Sequence, residues 1–199
     1  MSVSYITHAR TRKHTCSQVL ANTKCTRHHT HTTAALAAAS AAANACGPQG
    51  AATGCGFHEL DLGSKPLSDT VLSAVAGLGF MATTPVQQAT IPLLLNNKDV
   101  AVQACTGSGK TAAFLVPAFE LLVRSESQWR PRDVGAIVIA PTRELAMQIM
   151  SVASIMATAV PDVRVIMLTG GADTTDSFAQ FLEHGGNVVV SIAFLFVCV

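Results

Sequence analysis

The sequence predicts an α/β domain built on a parallel sheet, and three observations carry the prediction. Short apolar runs (Val100 to Ala104, Ala136 to Ala140, Val163 to Leu168, and a fourth opening at Val188 to Val190) recur with helical patterns between them. That alternation is the signature of βαβ units with right-handed crossovers. Ala136 to Ala140 reads A-I-V-I-A, a continuous run of the kind found in a strand buried on both faces. Between the first run and the helix after it lies Ala104 to Thr111, A-C-T-G-S-G-K-T. A glycine-bearing loop between strand and helix is the setting a phosphate-binding loop needs. In an open parallel sheet such a loop sits at the C-terminal edge, where ligands bind.

Taken in order, residues 1–56 are rich in Thr, Ala, His and Ser and offer little to bury. They predict a disordered tail. Ala34 to Ala45 is nearly all alanine, without an amphipathic face. His28, His29 and His31 could hold a metal loosely, but a solvated polar tract is the plainer reading. Helical patterning starts after Leu67-Ser68-Asp69, with Val71, Leu72, Val75 and Leu78 as an apolar face and Gly77 and Gly79 as its end. Thr84-Pro85-Val86-Gln87 combines an N-cap, a proline at the first helical position and the glutamine of a capping box. Pro92 should kink or end that helix, and Asn96 to Asp99 should turn the chain into the first strand. Ala112 to Ser125 reads as a helix bent at Pro117, with Pro131 to Asp133 as the connection that follows. Pro141-Thr142 opens another helix, with Leu145, Ile149, Val152 and Ile155 or Met156 facing inward. Thr175 to Glu183 is the last predicted helix.

The 199 residues suffice for one domain of ordinary size with some to spare. Residues 1–56 carry five basic side chains (Arg10, Arg12, Lys13, Lys24, Arg27) and no acidic one. From Phe57 onward eight basic residues face twelve acidic ones, a balance of −4. Bulk charge therefore gives no case for nucleic-acid binding; only local sites could. Six cysteines stand at 16, 25, 46, 55, 105 and 198 without a C-x-x-C pair, which predicts reduced thiols rather than disulfides or zinc. Ile192 to Val199 is the longest apolar stretch, well short of the ~20 residues that span a bilayer. No membrane segment and no obligate oligomer are expected. The basic, acid-free N-terminus also fits an organelle transit peptide.

The loop carries the chemistry. Gly107 and Gly109 leave room for backbone to wrap an anion. The N–H groups from Gly107 to Thr111 can point at phosphate oxygens, aided by the dipole of the helix behind them. Lys110 supplies a point charge to the β and γ phosphates, and the Thr111 hydroxyl can ligate Mg²⁺. Cys105 is either a small loop filler or a redox-sensitive thiol. A glycine-rich turn with a chance lysine would be the bland alternative, and the strand–loop–helix setting argues against it.

Three stretches together resemble the DEAD-box RNA helicases. G-F-M-A-T-T-P-V-Q (Gly79 to Gln87) resembles the family's Q motif. A-C-T-G-S-G-K-T resembles its motif I, in which alanine is the usual first residue, so Ala104 is no defect. A-P-T-R-E-L-A (Ala140 to Ala146) looks like motif Ia, and Gly170-Gly171 matches the GG element. The resemblance runs over residues 57–190 and implies an incomplete RecA-like P-loop domain with a parallel sheet, preceded by the disordered tail. T-P-V-Q-Q-A-T-I-P, N-K-D-V and G-G-N-V-V-V look like the nucleolar branch acting in large ribosomal subunit assembly. Pre-ribosomal RNA, ATP and a nucleolar or nuclear location follow from that likeness.

By the same likeness, ATP is held by Phe57, Phe80, Thr84, Gln87 and the loop from Ala104 through Cys105, Thr106, Gly107, Ser108 and Gly109 to Lys110 and Thr111. Lys110 and Thr111 serve catalysis, and Thr111 the metal. Gln87 reads the adenine edge, since an amide donates and accepts at once. Phe80 or the upstream Phe57 walls in the base, although Phe57 stands further from the Q motif than usual. Pro141, Thr142 and Arg143 contact RNA phosphates, and Gly170 and Gly171 let the strand approach. Without the family, Thr142 reads as a helix cap and Gly170-Gly171 as a turn. Thr83 replaces the customary proline and should matter little, because Thr84 and Pro85 keep the cap.

The chain also departs from the family. After Gly186-Asn187-Val188-Val189-Val190 the family runs into T-P-G-R; here Ser191 to Val199 reads S-I-A-F-L-F-V-C-V, and D-E-A-D occurs nowhere. Residues 191–199 resemble translated intron sequence or a faulty gene prediction. The expectation is therefore an ATP-dependent RNA helicase of which these residues form a truncated part, binding nucleotide without turnover. The alternatives are a non-catalytic isoform that binds RNA or protein, and another P-loop NTPase or kinase.

Overall fold

A computed structural model describes residues 54–63, 65–125, 129–168 and 174–192. The tail up to Thr53, the Gly170-Gly171 pair and residues 193–199 lie outside the described residues.

Helix starts fall where the local chemistry placed them. Helix α1 (Asp69–Gly77) begins behind Ser68, whose hydroxyl accepts the Val71 N–H. It is closed by Leu78 and by Gly79 at φ +77°. Helix α2 (Pro85–Leu95) opens with a reciprocal box: the Gln87 N–H donates to Thr84 Oγ1 at 3.3 Å, and the Thr84 N–H donates to Gln87 Oε1 at 2.9 Å. Pro92 does not end it. The helix runs three residues further, to Leu95, and the Asn96 backbone N–H and side-chain amide both donate to the Pro92 carbonyl. Asn97 then takes φ +55° and turns the chain; asparagine tolerates that region better than most residues.

Helix α3 (Lys110–Arg124) starts two residues before the sequence suggested and retains Pro117 inside it. Every residue from Ala112 to Glu120 is buried. A helix apolar on nearly all sides belongs in the middle of a domain, and α3 packs against α2 and α1. Its single buried charge is fully engaged. Glu120, 1% exposed, accepts from the Ser68 N–H (3.0 Å), the Ser68 hydroxyl (2.8 Å) and Arg124 Nε (2.6 Å). Arg124 in turn donates to the Lys65 and Pro66 carbonyls. This clamp fixes the segment entering α1 against α3.

The sheet has three described strands in the order β1-β3-β2, all parallel, with β1 spanning Ala136–Ala140, β2 Val165–Leu168 and β3 Val188–Ile192. Helix α4 (Arg143–Ala157) connects β1 to β2, and α5 (Thr174–His184) connects β2 to β3. Central β3 is buried from Val188 through Ser191, as a strand covered on both faces should be. In β1 only Ala136, Val138 and Ala140 are buried, with Ile137 and Ile139 half-covered. The inward line of α4 is Ala146, Ile149, Ala153 and Met156. Met156, not Ile155, completes that face; Ile155 is 42% exposed.

Val100 to Ala104 departs from expectation. The segment precedes the phosphate loop without regular secondary structure, joins no ladder among the described residues, and leaves Ala101 and Gln103 exposed. A strand is defined by its neighbour, and the three described strands pair only with one another.

The starts of the strands are tied together by Asn187, 1% exposed. Its amide nitrogen donates to the Arg130 and Asp133 carbonyls at 2.9 and 2.8 Å, and its oxygen accepts the Arg164 N–H at 3.0 Å. One side chain thus joins the approaches to all three strands. Gly185, at φ +74°, lets the turn before it close onto the Pro131 backbone.

Candidate functional site

The site begins where the N-termini of α2 and α3 meet. Ser68 and Thr142 cap α1 and α4 with their hydroxyls, but α3 starts at Gly109, which has no side chain to cap it. An uncapped helix N-terminus presents N–H groups to an anion. Gly107 and Gly109 adopt φ +79° and +84°, a region glycine enters without a Cβ penalty. At Gly109 space is also limiting, since a Cβ would come within 2.6 Å of Gln87 Nε2 and 3.1 Å of Thr84 Oγ1. Loop and Q-motif side chains are in direct contact.

Those contacts are hydrogen bonds. Thr84 Oγ1 donates to the Ser108 carbonyl at 2.9 Å, and Gln87 Nε2 donates to the Gly109 carbonyl at 3.2 Å. Gln87 is 2% exposed. With these bonds and the capping box made, its amide still has one N–H and one lone pair to offer a base edge. Lys110 folds back over its own loop, donating to the Ala104 carbonyl at 2.7 Å and to the Cys105 carbonyl, with Ser108 Oγ at 3.5 Å. Ser108 Oγ itself donates to the Cys105 carbonyl at 2.9 Å. A phosphate entering the loop must therefore draw the ammonium away from neutral carbonyls. The exchange replaces neutral acceptors of the ammonium with an anionic one, which adds the attraction of opposite charges to each bond.

Thr111, the second residue of α3, is half-buried. Among the described residues no group of three or more His, Cys, Asp or Glu lies together as a metal site. A single hydroxyl beside a phosphate loop suits Mg²⁺, which keeps several waters and takes most of its other ligands from substrate phosphates. The exposed members of the loop are Cys105, Thr106 and Gly107.

The two candidate aromatics part company. Phe57 lies in the core at 5% exposure, in a short 3₁₀ turn over Phe57–Glu59, so its ring belongs to the hydrophobic cluster that also holds Leu60 and Leu62. Phe80 is 39% exposed just ahead of the Q-motif cap.

At the C-terminal end of β1, Pro141, Thr142 and Arg143 are all exposed. Thr142 Oγ1 accepts the Leu145 N–H at 3.3 Å, so it is a helix cap. That bond uses an oxygen lone pair and leaves the hydroxyl proton for an outside acceptor. Gly170 and Gly171, assigned to the same surface by resemblance, lie outside the described residues. Sequence reasoning missed Glu120 and Asn187, because partners 52 and 57 positions away leave no local pattern.

The family described as DEAD/DEAH box helicase matches residues 84–196, more than half of the chain. The chain belongs to that family. The alternative of an unrelated P-loop kinase is thereby set aside. ATP-dependent RNA helicase DDX55 of Gallus gallus is 50% identical over 125 residues, covering 63% of this chain and 21% of the relative. DEAD-box ATP-dependent RNA helicase 18 of Oryza sativa subsp. japonica is 47% identical over 134 residues, 67% of this chain and 20% of the relative. ATP-dependent rRNA helicase SPB4 of Coccidioides immitis is 49% identical over 114 residues, 57% of this chain and 18% of the relative. This DEAD/DEAH box chain spans about a fifth of the length of these relatives.

Two solved structures share the fold, RecA-like as the sequence implied. The RNA helicase Prp28 from Chaetomium thermophilum bound to ADP superposes with a TM-score of 0.57 at 34% identity, over 66% of this chain and 31% of that one. Mss116p bound to ssRNA and AMP-PNP gives 0.54 at 32% identity, over 63% of this chain and 26% of that one.

Proposed function

We propose that the chain is the adenine-nucleotide- and RNA-binding part of an ATP-dependent RNA helicase acting in ribosome assembly. The observation that carries the reading is the contact of Thr84 and Gln87 with the Ser108 and Gly109 carbonyls. It brings the amide proposed to read the base against the loop proposed to hold the phosphates. The names of the relatives support RNA, and for the Coccidioides protein ribosomal RNA, as the substrate class. A nucleolar or nuclear location is proposed on the same ground.

In this reading Gln87 holds the adenine edge and Phe80, rather than the packed Phe57, covers the base. Lys110 leaves the Ala104 and Cys105 carbonyls for the β and γ phosphates, while the α3 N-terminus supplies dipole and N–H groups. Mg²⁺ bound with the nucleotide neutralises phosphate charge, with Thr111 as the protein's hydroxyl ligand. Pro141, Thr142 and Arg143 meet RNA phosphates, the threonine proton and the arginine fork being suited to them; Gly170 and Gly171 are assigned to the same role. Hydrolysis is assigned to the whole protein, because the 199 residues contain no D-E-A-D to hold metal and position water.

The test is ATP turnover by the purified chain with and without single-stranded RNA, beside ATP binding. Binding without RNA-stimulated turnover is expected. RNA-dependent hydrolysis that Lys110→Ala abolishes would overturn the non-hydrolysing part of the reading. RNA binding that is salt-sensitive and lost in Thr142→Val/Arg143→Ala supports the RNA surface; binding unchanged by that pair contradicts it.

A further inference from the structure

Thr83 stands immediately before the Thr84 cap and is 0% exposed. Its N–H and its hydroxyl both donate to the Cys55 carbonyl, at 3.0 and 2.7 Å. The hydroxyl oxygen in turn accepts from Gln88 Nε2 at 2.9 Å, and the same amide lies 3.7 Å from Cys55 Sγ. At Gly54 an added Cβ would run into the Thr83 carbonyl and the Gln88 amide. The Gly54–Gly56 segment is thus fastened across the start of α2, with one anchor just before the Thr84–Gln87 box and one just after it.

A proline at this position, the residue the family resemblance leads one to expect, has neither the N–H nor the hydroxyl. Neither bond to Cys55 could then form. The fastening belongs to this chain's own sequence, and the substitution is not the neutral exchange that the intact cap alone suggests. Its location gives it a consequence. Thr84 and Gln87 reach the phosphate loop only if the first turn of α2 keeps its orientation, and Thr83 and Gln88 hold that turn from both sides.

We propose that Thr83 is a positioning residue for adenine recognition, acting through Cys55 and Gln88 to aim Gln87 and Thr84 at the nucleotide. The inference rests on the reading that these groups bind ATP. Thr83→Val keeps the shape and the backbone N–H bond to Cys55 but removes the hydroxyl, so the Cys55 carbonyl loses one of its two donors and the half-buried Gln88 amide loses its oxygen acceptor.

The test compares ATP with inorganic tripolyphosphate, which engages the loop but has no base, on the full 199-residue chain well below its melting temperature. In Thr83→Val, ATP affinity is expected to fall about five- to tenfold, with tripolyphosphate affinity unchanged. Thr83→Ser should restore ATP binding. Gln88→Met, which removes the amide that donates to Thr83 but leaves both Thr83 bonds to Cys55 in place, should give a smaller loss of the same selective kind, and it serves as the test if Thr83→Val does not fold. Equal ATP affinity in wild type and variants, or equal losses for ATP and tripolyphosphate, overturns the positioning role even if the melting temperature drops. A wild-type chain that binds tripolyphosphate as tightly as ATP overturns the adenine reading itself.

Discussion

Two polar clusters in this chain are built from similar bonds and are suited to opposite tasks. At the start of the sheet, Asn187 is buried and spends its amide on three backbone groups that are themselves fixed by strands and turns. At the phosphate loop, Lys110 and Gln87 also donate to backbone carbonyls, yet the loop around them is half-buried or exposed and two of its glycines sit at positive φ. The first cluster has no better partner to turn to. In the second, a charged amine rests on neutral carbonyls, so an anion offers it a stronger bond. On the proposed function, the difference teaches that a satisfied hydrogen bond marks stability in one place and stored binding capacity in the other. What separates Asn187 from Lys110 is burial and the charge of the donor.

If the comparison is right, the two clusters fail differently. The largest expected effect on stability is at Glu120, which belongs with Asn187 in kind: Glu120→Ala leaves the Arg124 guanidinium without its carboxylate and should cost about 3 kcal/mol or more of unfolding free energy, read by urea denaturation. Asn187→Ala removes the donor to the Arg130 and Asp133 carbonyls and the acceptor of the Arg164 N–H, three part-buried bonds, and should cost ~2–3 kcal/mol by the same measurement. Should the variant melt like the wild type, Asn187 would not be the tie described here. Gly109→Ala forces a Cβ against Gln87 at positive φ; ~1–2 kcal/mol is the expected strain, together with weaker ATP binding in a titration. Loss of stability alone would separate loop geometry from binding. Thr142→Ala removes only a cap and should cost ~1 kcal/mol by denaturation, with Thr142→Ser close to wild type.

How much of this was legible follows the range of the interactions. Ser68, Thr84, Pro85 and Thr142 announce helix starts because a cap is made within three residues, and all four act as the sequence implies. The loop was legible for the same reason, its glycines, lysine and threonine being adjacent. Phe57 stood beside Phe80 as a candidate to wall in the base, and only the fold shows that it lies in the core. Val100 to Ala104 has the composition of a strand, but pairing is decided by what stands beside it. Pro92 predicts an end only if nothing downstream supports the helix, and the Asn96 amide does. Thr83 looked like a harmless replacement until its two bonds to Cys55, 28 positions away, were visible.

The most direct measurement is a calorimetric titration of the chain with ATP and with GTP, repeated on Lys110→Ala and paired with a thermal melt of both proteins. The account predicts that wild type binds ATP in preference to GTP and that Lys110→Ala loses ATP binding by about two orders of magnitude, with the melting temperature nearly unchanged. GTP binding equal to ATP would contradict the role of Gln87. ATP binding that survives Lys110→Ala, or a variant that unfolds instead of merely failing to bind, would show that the lysine is part of the scaffold and not a group held in readiness for phosphate.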